Sequence, residues 1–217
     1  QNLNRQILII YMIPQSLKMD NTKTFQKFQE IFLEKNKFLN LISKKDAKYL
    51  WEKHIQDSLA IKLFFDRHKK NYKNLLDIGT GGGFPSLPIA IAYPNIQVVG
   101  IDSIRKKILA IDEFAKTLEL KNFTAICDRV ENLKDQKFDI ITSRAVAKLE
   151  QIVKYALPIL EKNGYLVVYK SILVQDEIKD AEKVMKKFRA KVVDIIEYQL
   201  KTDEDVFERN LVVIKHV

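Results

Sequence analysis

Cysteine is almost absent from this chain of 217 residues: Cys127 stands alone, which excludes an internal disulfide and any cysteine-ligated metal cluster. Such usage belongs to a reducing compartment, so a cytoplasmic location is expected. The three histidines, His54, His68 and His216, lie far apart and offer no zinc-type spacing, so no metal is expected. Long apolar runs are missing as well. The longest near the start, Ile7 to Ile13, falls well short of the roughly 20 residues that cross a bilayer, and no small-residue cleavage site follows it. Residues 1–23 therefore read as a leader outside the folded unit, with Met19 a reasonable start, and no membrane partner is expected. Negative charge is in deficit, with 28 acidic against 37 basic residues and a net charge of +9. That balance favours an anionic partner such as nucleic acid. The lysines that dominate it are scattered, which is also how a solvated face looks.

Hydrophobic residues make up 47% of the chain, enough for a sizeable core, and the length suits one α/β domain with an appendage. From Thr24 onward, Phe25, Phe28, Ile31 and Phe32 recur at helical spacing. A second helix is expected from about Asp46, its cap, to Phe65, with Leu50, Trp51, Ile55, Leu59 and Leu63 inward. On another face His54, Asp57 and Ser58 stand one turn apart and can touch, as a surface hydrogen-bonding pair or as a functional face. Residues 24–72 are thus expected to form a small helical N-terminal extension, and residues 73–217 the main domain. There, apolar segments at 74–78, 96–101, 123–126, 138–142, 165–169, 192–198 and 211–214 alternate for the most part with helical ones. The rhythm predicts an α/β fold with a seven-stranded, mostly parallel sheet and ligands outside the carboxyl ends of its strands.

The chain is organised around Asn74 to Ser86, an apolar strand running into a turn that holds four of the six glycines, Gly79, Gly81, Gly82 and Gly83. Glycine serves where the backbone needs positive φ or must approach a ligand closely. A dinucleotide fingerprint would require a glycine where Phe84 stands. Asp77-x-Gly79-x-Gly81-x-Gly83 instead resembles the loop with which Rossmann-like methyltransferases wrap the zwitterionic tail of S-adenosylmethionine (SAM). Asp77 suits an amine better than a phosphate. About 20 residues further on, Asp102 ends the second strand, where a carboxylate meets a ribose diol. Ser103 is expected to cap the next helix. Arg105, Lys106 and Lys107 in its first turn oppose the helix macrodipole, which marks either an anionic partner or an exposed, screened turn. The segment from Cys127 through Val130 and Glu131 lies where an adenine pocket forms in this fold.

The end of the fourth strand is informative by what it lacks. Methylation of an exocyclic amine goes with an Asn- or Asp-Pro-Pro-aromatic turn, and here Ser143-Arg144-Ala145 stands. Methylation of a pyrimidine carbon needs a cysteine nucleophile, and Cys127 sits one strand too early. A ring nitrogen with an in-plane lone pair, such as guanine N7, needs neither. Holding nucleophile, methyl and sulfur in line lowers such a barrier by roughly 7–11 kcal/mol with no general base. Arg144 then reads as a planar positioning fork or as a structural salt bridge.

These residues together resemble the RsmG (GidB) family of bacterial 16S rRNA guanine-N7 methyltransferases, over roughly Phe25 to Lys215. The marks are Asn40-Leu41, His54-Ile55-x-Asp57-Ser58-Leu59, Asp77 through Pro85, Asp102-Ser103, Arg129-Val130-Glu131, Ser143-Arg144-Ala145 and Glu208 through Ile214. The resemblance implies a class I SAM-dependent methyltransferase fold, SAM contacts at Gly79, Phe84, Val130, Glu131 and Arg144, and Asp102 near the ribose. It also implies 16S rRNA within the small ribosomal subunit as substrate. Asp77, Gly79, Gly81, Gly83, Phe84, Asp102, Val130 and Glu131 are therefore expected to hold the cofactor and Arg144 to orient the reacting centre. Arg105, Lys106, Lys107 and Lys170 are expected on RNA phosphates, with the protein a monomer. The family has Lys-Gly where this chain has Lys170-Ser171. A nicotinamide-dependent reductase, a non-catalytic RNA-binding module and a methyltransferase of another substrate remain open on the residues alone.

Overall fold

The computed structural model describes Tyr11, Met12 and residues 21–217, so the leader expected over residues 1–23 lies almost wholly outside the described residues. Tyr11–Met12 (β1) is a two-residue edge pairing. Thr22–Leu39 (α1) is the first long helix. It ends at Asn40, which adopts the left-handed conformation (φ 48°), while Asn36 Oδ1 accepts from Ile42 N at 2.9 Å. The expected second helix is broken. Lys44–Ala47 (α2) is capped by Ser43, not Asp46: Ser43 Oγ accepts from Asp46 N at 3.0 Å and donates to Asp46 Oδ2 at 2.7 Å. A π-helical turn then spans Leu50–Gln56, and Asp57–Leu59 (α3) and Ile61–Arg67 (α4) complete the run. Such widened turns occur mostly at functional sites.

The sheet proper runs through Asn74–Ile78 (β2), Gln97–Asp102 (β3), Phe123–Cys127 (β4), Phe138–Arg144 (β5), Leu160–Ser171 (β6), Ala190–Lys201 (β7) and Val206–His216 (β8). Ser86–Ala92 (α5), Arg105–Thr117 (α6), Leu149–Ala156 (α7) and Gln175–Lys187 (α8) link them. The expected seven-stranded sheet is observed, extended at its edge by β1, in the order β1-β7-β8-β6-β5-β2-β3-β4. Only β8 runs antiparallel to its neighbours. After β4 the chain returns to place β5 beside β2, and there the strand order reverses. A crevice outside the carboxyl ends at such a switch point is where open α/β sheets bind ligands. α7 stops at Ala156, where Pro158 enters a 3₁₀ turn, and β6 starts at Leu160.

Three apolar clusters hold the layers together. α7 and α8 cover one face through Ile152, Val153, Ala181 and Met185. α4 and α5 cover the other with Ile61, Phe64, Ile89 and Ala90. The third cluster fastens α1 to α5 and α6, and its centre is aromatic. Phe32 is fully buried, with its ring centroid 5.1 Å from Phe84, 5.7 Å from Phe28 and 5.7 Å from Phe114. Phe84 belongs to the glycine loop, so the extension is packed directly against the switch point. Among the described residues no helix is long and apolar enough to cross a membrane. Phe32→Ala is expected to destabilise the fold by about 3–5 kcal/mol, read as a lowered urea midpoint with an unchanged slope.

Candidate active site

β2 feeds the glycine loop, and the loop is stapled to β3. The amides of Gly79 and Thr80 both donate to Ile101 O, at 2.9 and 3.0 Å. Gly81 N donates to Asp102 Oδ2 at 3.0 Å, and Ile104 N to Asp102 Oδ1 at 2.9 Å. Asp102 thus holds the loop and the start of α6 at once, where Ser103 was expected to cap; each oxygen keeps a further lone pair for a ligand. Gly79 has φ +69°, and a Cβ there would lie 2.4 Å from Val146 Cγ2 on the facing strand end. Only glycine fits that approach.

Above the loop lies a cleft of about 670 Å³, within the size range of small-molecule sites. Gly79, Gly81, Phe84, Asp102, Val130, Glu131, Arg144 and Lys107 all line it. Asp77 and Gly83 do not. Gly83 (φ +93°) is required by packing, since a Cβ there would meet Leu87 Cδ1 at 2.5 Å. Asp77 is fully buried beneath the loop: Thr142 Oγ1 donates to its Oδ1 at 3.0 Å, its Oδ2 has no partner among the described residues, and burial pushes its pKa up to about 7. Arg105 and Lys106 are exposed in the first turn of α6, beside Lys107.

Lys170 differs most from expectation. Its ammonium bonds Glu177 Oε2 at 2.7 Å and Ala147 O at 3.0 Å, with the side chain only 14% exposed. Glu177 Oε2 also accepts from Leu149 N at 2.7 Å. The pair therefore secures the turn after β5 and the start of α7, and does not present a free cation to a phosphate.

Arg144 is the centre of the site. Its Nη1 donates to Asp57 Oδ2 at 2.8 Å and to Lys53 O at 3.3 Å, and its Nη2 meets His54 Nδ1 at 3.1 Å. The guanidinium carbon sits 5.4 Å from the Phe84 ring centre, a cation–π contact. Tyr198 Oη donates to Asp57 Oδ1 at 2.6 Å, and Tyr169 Oη to Ser58 O at 2.7 Å. His54, Asp57 and Ser58, one turn apart in the sequence, thus meet the sheet and not one another's side chains. Arg144 makes the salt bridge and also lines the cleft. The next residue, Ala145, takes φ 55°, a left-handed conformation that costs a non-glycine residue energy and turns the chain away sharply. Sequence reasoning did not find Leu41, Ile42, Ser43, Val146 or Tyr155 on the lining. Leu41, Ile42, Ser43 and Val146 arrive from the segments before α2 and after β5, and Tyr155 from α7. Among the described residues no group of three His, Cys, Asp or Glu is placed to hold a metal ion.

A glycine loop at the switch point of this sheet, with an acidic residue ending the neighbouring strand, defines the SAM-dependent methyltransferase class of α/β folds. Solved structures share the fold: TYW2 of M. jannaschii in complex with AdoMet has a TM-score of 0.58 at 15% identity, covering 75% of this chain and 77% of its own. A SAM-dependent O-methyltransferase from Thermotoga maritima gives 0.54 at 14% identity, covering 75% and 65%. Residues 21–211 match the family model for GidB, rRNA small subunit methyltransferase G. The ribosomal RNA small subunit methyltransferase G of Bacillus licheniformis is 35% identical over 205 residues, 92% of this chain and 84% of that protein. That of Lachnoclostridium phytofermentans is 36% identical over 211 residues, 93% and 86%. The chain belongs to the rRNA small subunit methyltransferase G family.

Asp57→Ala takes the carboxylate from the part-buried Arg144 cation and is expected to cost about 1.5–3 kcal/mol in urea unfolding. The carboxyl of Asp77 ionises near 3.8 when unfolded and near 7 when folded. The unfolded state therefore binds fewer protons between these values, and this group's contribution to stability falls as pH rises from about 4 to about 7. Asp77→Asn removes that loss. Its Tm relative to the parent is expected to be higher at pH 8 than at pH 5 by calorimetry, and an offset that is equal at both pH values contradicts the assignment.

Proposed function

We propose that this chain transfers the methyl group of SAM to N7 of a guanosine in 16S rRNA, within the small ribosomal subunit, acting as a monomer in the cytoplasm. The residues present suit SAM. Gly81 leaves open space where a Cβ would stand, with nothing nearer than its own Gly79 O at 3.8 Å. Asp102 has unused lone pairs for a ribose diol, and Ile78, Ile101 and Val130 give the cleft its apolar side beside Glu131. Gly79, Gly81, Phe84, Asp102, Val130, Glu131 and Arg144 would hold the cofactor. Asp77 would act on its amine only through the loop it supports. Lys107, with Arg105 and Lys106 next to it, would meet RNA phosphates at the rim. We read residues 24–72 as the extension that walls the cleft and residues 73–217 as the transfer domain.

Bound SAM supplies an electrophilic methyl carbon, which an in-plane ring nitrogen accepts without losing a proton. The observation that carries the N7 reading is the state of the groups at Arg144. A guanidinium donates only, so the His54 nitrogen facing it is an acceptor already in use, and the Asp57 carboxylate is spent on Arg144 and Tyr198. Among the described residues no free base stands beside Arg144, and none is needed for a nucleophile that carries no proton. Arg144, clamped on Phe84 and Asp57, holds the reacting partners in line.

Labelled SAM incubated with small subunits that lack the modification tests the reading. One labelled nucleotide, cleaved by chemistry selective for 7-methylguanosine, is expected, and Arg144→Ala is expected to lower kcat/KM by about 100-fold. Label confined to another base or absent from the RNA overturns the N7 assignment.

A further inference from the structure

His54 carries a hydrogen-bond donor that no described residue uses. Its Nδ1 lies 3.1 Å from Arg144 Nη2. Because the guanidinium has no acceptor, Nδ1 must present a lone pair, and a ring with one lone pair at Nδ1 carries its proton on Nε2. Burial, with the Arg144 cation second, holds the ring neutral by pulling its pKa down to about 4. Nε2 is itself buried, and among the described residues it has no hydrogen-bond partner. The ring lines the cleft and packs on Phe84 at 5.2 Å between centroids.

Buried polar groups are almost always satisfied, because an unmet donor loses its bond to water and gains nothing in return. The surroundings of His54 are otherwise fully committed. Asp57 serves Arg144 and Tyr198, Asp46 pairs with Lys53, and the His54 carbonyl accepts from Ser58 Oγ at 2.6 Å. A ligand seated in the cleft that this ring lines would bring the missing acceptor. We propose that His54 is a binding residue whose Nε2–H donates to an oxygen acceptor of a bound ligand, either the carboxylate of SAM or a carbonyl oxygen of the target base. The inference rests on the function proposed above. A general-base role for His54 is ruled out by the same geometry, since one nitrogen is occupied and the other protonated.

Two variants of similar length separate the roles. His54→Gln keeps an oxygen for Arg144 and an N–H for the ligand, whereas His54→Met has no donor. SAM and 5′-methylthioadenosine, which lacks the amino-acid tail, are titrated by calorimetry, and methyl transfer to small subunits is then measured. If the acceptor is the SAM carboxylate, His54→Met loses about tenfold in SAM affinity, keeps its affinity for methylthioadenosine, and His54→Gln restores the loss. If the acceptor is on the base, SAM affinity holds while kcat/KM for transfer falls about tenfold, again restored by Gln. Unchanged binding and transfer in His54→Met overturn the proposal, as does a loss that Gln does not restore. Should His54→Met fail to fold, nitrogen NMR of the intact protein decides: the Nε2–H tautomer between pH 6 and 8, with its proton moving downfield on adding SAM or the RNA, is expected. An Nδ1–H tautomer, or a signal unmoved by either ligand, overturns it. A parent protein that binds no SAM at all refutes the proposed function itself, a result distinct from any of these.

Discussion

The part-buried ion pair between Arg144 and Asp57 joins the strand end that faces the cleft to a helical turn 87 residues earlier in the chain. Both partners are well shielded from water, so neither can lose the other without leaving a charge in a poor dielectric. A pair of this kind adds little net stability over a well-packed apolar contact, and its value lies in geometry. Tyr198 holds the second oxygen of Asp57, Phe84 covers the guanidinium, and His54 takes its remaining edge. Each contact removes a degree of freedom from Arg144. A site that acts by alignment depends on such removal.

The same economy appears at the glycine loop. Asp102 lines the cleft, and both of its oxygens already accept backbone amides, one from the loop and one from the entry to α6. The carboxylate therefore shapes the cleft before any ligand arrives. Val146 closes over Gly79 from the neighbouring strand end, so the two sides of the switch point define one another's position.

Much of this was legible in the residue pattern. Strand and helix alternation, the glycine spacing and the carboxylate at Asp102 all act over a few residues, and local preferences report them well. The reading went astray where a side chain's partner is distant. Lys170 looked like a free cation because Glu177 lies on a helix that only the fold turns back toward it. Gly83 looked like a ligand contact, although Leu87 one turn later is what excludes a side chain there. Asp77 looked exposed to the cofactor, but the loop it precedes folds over it. The break in the second helix left no mark either: Leu50, Ile55, Leu59 and Leu63 are buried as their spacing predicts, although a π-helical turn lies among them.

The sequence alone determined the class of fold, the place of the cofactor loop and the absence of disulfide chemistry, since each follows from local periodicity, glycine spacing or a count of residues. Only the tertiary structure decided which polar side chains are spent within the protein and which face the cleft. That division depends on burial and on partners brought together from remote parts of the chain. It separates Arg144 and His54 at the cleft from Lys170 and Asp77 behind it, although all four carry equally suggestive chemistry in the bare sequence.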